Sequence, residues 1–236
     1  MNFAEAMRNI GTRLERHLRH HGYQVLLVTS VAENEGKSTT AANLALALAE
    51  KQKRVLLVDA DLRKPSQYKV FEVRRDDTVS FSRVLEGEKD WKDIVGYSRK
   101  SGLWMLFQFL QAKDPGGALR EGRMRELLTE WKKQMDYIIV DSAPISAAAV
   151  AEIWMAAVDS VLLVVREDWA DVRYINDGVD VVRQNHTDFS GFILNAFHKE
   201  WSSKHYGYQY EKYGTYSNGD MAEDGGEGLK YGRNKR

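Results

Sequence analysis

Lys37 and Ser38 stand directly after Gly36, where a polar loop gives way to a run of Ala and Leu. The apolar run 24–29 (QVLLVT) before the loop reads as a buried strand, and residues 37–51 read as a helix. A loop feeding a helix N-terminus presents unpaired backbone N–H groups and the positive end of the helix dipole. Phosphate binds readily at such a place. Glu35, Gly36, Lys37, Ser38 and Thr39 form the candidate cradle. Gly36 lets the backbone approach a phosphate, Lys37 reaches its outer oxygens, and Ser38 offers a hydroxyl to Mg²⁺. The first glycine of the usual G-x-x-x-x-G-K-[ST] pattern is Val31 here, and Asn34 stands where a second glycine is frequent.

Two more elements end in carboxylates. Residues 54–59 read as a strand, and Asp59 and Asp61 emerge at its end in VLLVDADLRKP. Residues 137–141 read as another, and YIIVDSAP places Asp141 at its end. In open parallel sheets, ligands bind outside the C-terminal strand ends. Carboxylates there can hold Mg²⁺, directly or through water, so Ser38, Asp59 and Asp141 are the candidate metal residues. A lone Asp after a strand commonly only caps a turn. Three strand-end motifs in order on one sheet point instead to a bound nucleotide.

The elements that must position these residues follow the same alternation. Residues 3–19 read as a helix, because Phe3, Met7, Ile10, Leu14 and Leu18 line one face. Residues 103–109, 160–165 and 191–195 read as strands, and 119–134 and 172–184 as helices. The expected fold is α/β, a doubly wound and mainly parallel sheet with helices on both faces. Residues 1–201 would form one domain, and residues 202–236, poor in aliphatic side chains, a flexible tail. The formal net charge of zero does not favour a nucleic-acid coat, although the aromatic tail could stack on single strands. The chain has no cysteine, which excludes disulfides, thiolate zinc sites and iron–sulfur clusters. His17, His20 and His21 are close in sequence, but their spacing alone makes a weak metal site. No apolar run approaches the ~18 residues of a membrane span, and no signal core is visible, so a cytoplasmic location is expected.

With GKSTTAANLA, VDADLRKP and IIVDSAP in view, the chain resembles the bacterial tyrosine kinases of capsule and exopolysaccharide synthesis. The resemblance runs from Glu5 to the last tyrosine and is most specific at VDADLRKP, which is similar to that family's Asp-x-Asp-x-Arg motif. It implies a P-loop domain related to the partition and septum-placement ATPases, with ATP and Mg²⁺ as cofactors. It implies that Lys37 stabilises the transferring phosphoryl group, while Ser38 and Asp141 position Mg²⁺. Asp59 would orient the acceptor tyrosine's hydroxyl or take its proton, with Asp61 and Arg63 in support. Asn195 resembles the residue that contacts adenine in related ATPases; the other reading is that it ends a strand in a turn. The resemblance further implies a homo-oligomer and a transmembrane polysaccharide co-polymerase as activator. The kinase would then reach the inner face of the membrane only through that partner. Three features depart from the family pattern. Glu5-x-x-Arg8-x-x-Gly11 replaces Glu-x-x-Arg-x-x-Arg, DSAP replaces DTPP, and no acidic residue follows near Val150.

Tyr206, Tyr208, Tyr210, Tyr213 and Tyr216 crowd into eleven residues, with Tyr231 beyond them. In a kinase of this kind they are the expected phosphoacceptors. Two other functions compete. A switch ATPase of the partition type would carry an extra lysine early in the loop, where Ala32 stands. A pseudokinase would keep the fold and bind ATP without phosphoryl transfer.

Overall fold

The computed structural model describes residues 3–119, 121–147, 149–196 and 230–231. Helix α1 (Phe3–His21) is followed by β1 (Val25–Ser30), α2 (Lys37–Ala49) and β2 (Val55–Ala60). Three single-turn helices come next, α3 (Gln67–Val70), α4 (Ser82–Leu85) and α5 (Trp91–Ile94). The strands β3 (Gly96–Ser98) and β4 (Leu103–Leu106) pair as an antiparallel hairpin. Then come α6 (Pro115–Ala118), α7 (Glu121–Gln134), β5 (Tyr137–Ser142) and α8 (Ala149–Met155). The strands β6 (Ser160–Arg166) and β7 (Asp188–Asn195) flank α9 (Val172–Gln184), and β8 (Lys230–Tyr231) comes last.

All the strands join one sheet in the order β7-β6-β1-β5-β2-β4-β3-β8. From β7 to β4 the pairings are parallel. The β-branched and Leu-rich strands β1, β2 and β5 are buried at every position, as strands covered on both faces must be. One face packs under α1 and α2 through Leu14, Leu18, Leu44 and Leu48. The other packs under α4, α5, α7, α8 and α9, where Phe81, Trp91, Trp131 and Trp154 form an aromatic centre. β1 lies between β5 and β6, so the strand order reverses there and opens the crevice at which such sheets bind ligands.

The expected doubly wound, mainly parallel fold is the fold observed. Three details differ from the sequence reading. The strand expected over 103–109 stops at Leu106, because Phe107 O accepts from Phe81 N and Phe109 N donates to Ser80 Oγ. The short β3 had no apolar alternation to announce it. Residues 230–231, expected to be part of a flexible tail, form a bridge on the edge strand, with Gly96 opposite Tyr231.

A close approach also explains Gly11. It is buried where α1 crosses α2, and a Cβ added there would lie 2.7 Å from Ala47 Cβ. An arginine at this position would have no room.

Candidate nucleotide site

The loop between β1 and α2 is braced before any ligand arrives. Ser30 Oγ donates to Ala32 O at 2.6 Å, and Ala32 N donates to Glu35 Oε2 at 2.7 Å. Glu35, expected at the phosphate, is fully buried and turned inward, where its other oxygen accepts from Arg166 N at 3.4 Å. Its side chain therefore holds the loop's shape. Asn34 and Gly36 have left-handed backbones, with φ of 63° and 87°. Asn tolerates that region and glycine enters it freely. Val31, at the first-glycine position, is outside it and is buried against Gly178 of α9; a Cβ there would meet Val31 Cγ2 at 3.1 Å. The loop keeps its function as a turn without the missing glycine because that position needs no positive φ.

Two residues that sequence reasoning missed clamp the loop from outside. Trp169 Nε1 donates to Glu33 O at 2.9 Å, and Arg166 Nη1 to Asn34 O at 3.3 Å. The Arg166 guanidinium lies 4.6 Å from the Trp169 ring centroid. Asn195, at the end of β7, donates from Nδ2 to Glu35 O at 2.9 Å. It therefore touches the loop itself.

Lys37 Nζ lies 3.0 Å from Asp61 Oδ2, with both side chains largely buried. Burial alone would lower the lysine's pKa. The carboxylates of Asp141, Asp61 and Asp59 outweigh it and hold the ammonium above the ordinary lysine range. Asp61 Oδ1 accepts from Lys64 N at 2.9 Å and Arg63 N at 3.3 Å, which fixes the turn after β2. Arg63 reaches Ala147 O at 3.3 Å.

Register brings the other two carboxylates together. Asp59 and Asp141 face each other on the neighbouring strands β2 and β5, and both are fully buried. Asp59 Oδ2 accepts from Ser66 N at 3.1 Å and Gln67 N at 2.9 Å. Asp141 Oδ2 accepts from Gln67 Nε2 at 2.8 Å, and the Ser38 hydroxyl also bonds to this carboxyl. Ser66 Oγ in turn donates to Ser38 Oγ at 2.8 Å. Burial and the neighbouring Asp141 push Asp59 well above the usual carboxylate range. Burial pushes Asp141 up to about 6, against the pull of Lys37 and the hydrogen bonds from Ser38 and Gln67. Asp59 Oδ1, Asp141 Oδ1 and Gln67 Oε1 are buried with no hydrogen-bond partner. Two partnerless oxygens on adjacent carboxylates, both ionised when a cation replaces the proton, suit a hard divalent metal. Among the described residues, no group of three or more His, Cys, Asp or Glu side chains is arranged to hold a metal by itself. Mg²⁺ commonly takes only one or two carboxylates and completes its shell with phosphate and water. His17, His20 and His21 sit elsewhere, with His17 beside Ser190 near the starts of β6 and β7.

A cleft of about 290 Å³ opens above this floor. Lys37, Ser38, Thr39, Asp61, Ser66 and Lys69 are among its walls, and Arg63 stands at its side. The structure thus brings together Gly36, Lys37, Ser38, Thr39, Asp61 and Arg63 at the cleft, with Asp59 and Asp141 beneath it. Tyr206, Tyr208, Tyr210, Tyr213 and Tyr216 lie outside the described residues.

Comparison with known proteins agrees with this geometry. A family model described as an AAA domain matches residues 28–185. The tyrosine-protein kinase YwqD of Bacillus subtilis is 32% identical over 91% of this chain and 88% of its own. EpsB of Ralstonia solanacearum, named as a candidate tyrosine-protein kinase, is 30% identical over 93% of this chain. This chain spans only 30% of the length of that relative. Among solved structures, the kinase domain of the Escherichia coli tyrosine kinase ETK superposes with a TM-score of 0.78 at 25% identity, over 90% of this chain and 80% of its own. The septum site-determining protein MinD of Pyrococcus horikoshii, solved with Mg-ADP, shares the fold at a TM-score of 0.63 and 21% identity, over 77% of this chain and 76% of its own. A P-loop that feeds α2, paired carboxylates at the ends of β2 and β5, and a relative matched over nearly its full length make this chain a member of the bacterial tyrosine-protein kinases of the capsule and exopolysaccharide type.

Proposed function

We propose that this chain is an ATP- and Mg²⁺-dependent protein-tyrosine kinase that phosphorylates tyrosines of its own C-terminal cluster and thereby regulates capsular or exopolysaccharide synthesis and export. The observation that carries this reading is the convergence of Lys37, Ser38, Asp59, Asp61 and Asp141 from three strand ends on one floor. Backbone N–H groups at the start of α2 would bind the phosphates. Ser38, Asp59 and Asp141 would hold Mg²⁺, whose charge lowers the cost of gathering phosphate oxygens beside carboxylates. Lys37 would leave Asp61 for the transferring phosphoryl group. Asp61 lines the cleft, whereas Asp59 lies buried below it. Asp61 therefore joins Asp59 as a candidate for the acceptor hydroxyl. A free tyrosine has a pKa near ~10, so a carboxylate beside the attacking oxygen assists its deprotonation. Arg63, Lys64 and Lys69 at the cleft mouth favour an anionic ligand.

The division into a kinase domain over residues 1–201 and an acceptor tail over 202–236 belongs to the same proposal. So do a homo-oligomer and a transmembrane co-polymerase that activates the chain from the membrane. Among the described residues, no helix is long and apolar enough to cross a membrane.

The test is incubation of the purified chain with Mg²⁺ and ATP, with and without the intracellular segment of a co-polymerase, followed by mapping of phosphotyrosine by mass spectrometry. Phosphate on Tyr206–Tyr216, absent in Lys37→Met, is the expected result. ATP hydrolysis with no phosphotyrosine under both conditions would select the switch-ATPase reading, which the fold likeness to MinD favours.

A further inference from the structure

Gln67 is fully buried, and both its main-chain N–H and its side-chain amide are directed at the candidate site. Its main-chain N–H donates to Asp59 Oδ2 at 2.9 Å. Its side-chain Nε2 donates to Asp141 Oδ2 at 2.8 Å and to Ser38 O at 3.0 Å. One residue thus holds both strand-end carboxylates and the first turn of α2. Both partners of Nε2 are acceptors only, so the orientation of the amide is fixed by chemistry. Each carboxylate is left with one held oxygen, Oδ2, and one partnerless oxygen, Oδ1. Gln67 Oε1 is the third buried acceptor with no donor.

An arrangement that binds one oxygen of each carboxylate and spares the other does not serve packing. An uncompensated buried acceptor costs stability, and here three occur together. It does serve orientation. Hydrogen bonds to the outer oxygen of a metal-binding carboxylate fix the plane in which the inner oxygen points, and such support governs metal affinity. We infer that Gln67 is a positioning residue for the divalent cation: it aims Asp59 Oδ1 and Asp141 Oδ1 together and ties them to Ser38. This rests on the Mg²⁺–nucleotide reading of the site.

The experiment measures Mn²⁺ as the paramagnetic stand-in for Mg²⁺, bound to the full chain in the presence of saturating ADP, by electron paramagnetic resonance. ADP affinity in EDTA is measured in parallel. Gln67→Met keeps the length of the side chain and the main-chain N–H but removes both amide bonds. Its Mn²⁺ affinity is expected to fall at least about tenfold. Its cation-free ADP affinity should stay within twofold of wild type. A purely structural role would weaken both together, and equal Mn²⁺ affinity in the two proteins overturns the inference. A second measurement needs no variant. With Mg²⁺-ADP bound to the wild-type chain, the Gln67 side-chain amide protons should be protected from hydrogen exchange. Free exchange there would mean that Gln67 lets go of the carboxylates, and would also overturn it. Wild-type chain that binds ADP but no Mn²⁺ would sink the functional reading and this inference with it.

Discussion

The Asn195 carboxamide and Gly36 share one space: Nδ2 donates to Glu35 O at 2.9 Å, and a Cβ on Gly36 would fall 2.1 Å from that same nitrogen. The last strand of the parallel sheet therefore reaches back to fix the start of α2, and only glycine fits beneath it. Gly36 also has φ of 87°, which strains any other residue. Gly36→Ala is expected to abolish nucleotide binding while the fold persists. Asn195→Ala removes one hydrogen bond, worth about 1 kcal/mol, and should weaken ADP binding about fivefold. The double variant relieves the clash and should bind better than Gly36→Ala alone, a non-additivity readable by titration with a fluorescent ADP analogue. Equal binding by both alanine-36 proteins would show that backbone strain alone is responsible.

Trp169 tests the opposite side of the loop. Asp168 before it has φ of 56°, so the turn is held in a left-handed conformation that presents the indole to Glu33 O. Trp169→Phe keeps a ring beside Arg166 and loses only the N–H bond. Because this edge is half exposed, water replaces part of the loss. ADP affinity should fall about two- to fivefold, with thermal stability nearly unchanged. A drop in stability with unchanged affinity would assign Trp169 to folding instead.

The residues that are contiguous in sequence with a strand end were legible without a structure. Asp59 and Asp141 each close an apolar run, and Lys37 and Ser38 stand where a polar loop after such a run meets an Ala- and Leu-rich helix, so the pattern places all four at one edge of a sheet. Gln67 and Trp169 act across separations of 74 and 136 residues, to Asp141 and Glu33, so no local pattern announces them. The inward turn of Glu35 was hidden for the same reason, since Arg166 is 131 residues away. β3, with three residues including a glycine, carries too little hydrophobic signal to be read. Gly11 was visible as a departure from a motif, but its reason, Ala47, belongs to another helix.

The buried carboxyl pair makes stability depend on pH with a definite sign. The folded chain raises the pKa of Asp59, and that of Asp141 to about 6. A carboxyl group with a raised folded pKa binds its proton more tightly when folded. Stability is therefore greatest below the unfolded value near ~4 and declines as pH rises through the folded value. The nucleotide-free chain should lose stability from this pair between about pH 4 and pH 6 or above. Asp59→Asn removes one of the two buried charges and keeps an acceptor for Ser66 N and Gln67 N. It should raise the melting temperature at pH 7.5 by about 2–4 °C and by less at pH 5, while impairing Mg²⁺ binding. Scanning calorimetry at both pH values checks this, and a gain that grows toward low pH would contradict it.

Gly11 separates packing from assembly. The family resemblance implies arginine at this position, so Gly11→Arg would restore a motif that Glu5 and Arg8 begin. The geometry argues otherwise. Gly11 is buried against Ala47, where a single methyl group already meets Ala47 Cβ at 2.7 Å. α1 would have to lift from α2 to admit a guanidinium, which exposes Leu14 and Leu18 on the same face. Overpacking of this kind costs about 1–3 kcal/mol, and each kcal/mol lowers the melting temperature of a domain this size by about 2–4 °C. Gly11→Arg should therefore melt earlier than wild type, and Gly11→Ala should fall between the two. Size-exclusion chromatography with light scattering supplies the second readout. A Gly11→Arg protein that keeps its melting temperature and forms a larger oligomer would mean that α1 swings free of α2 to make the contact.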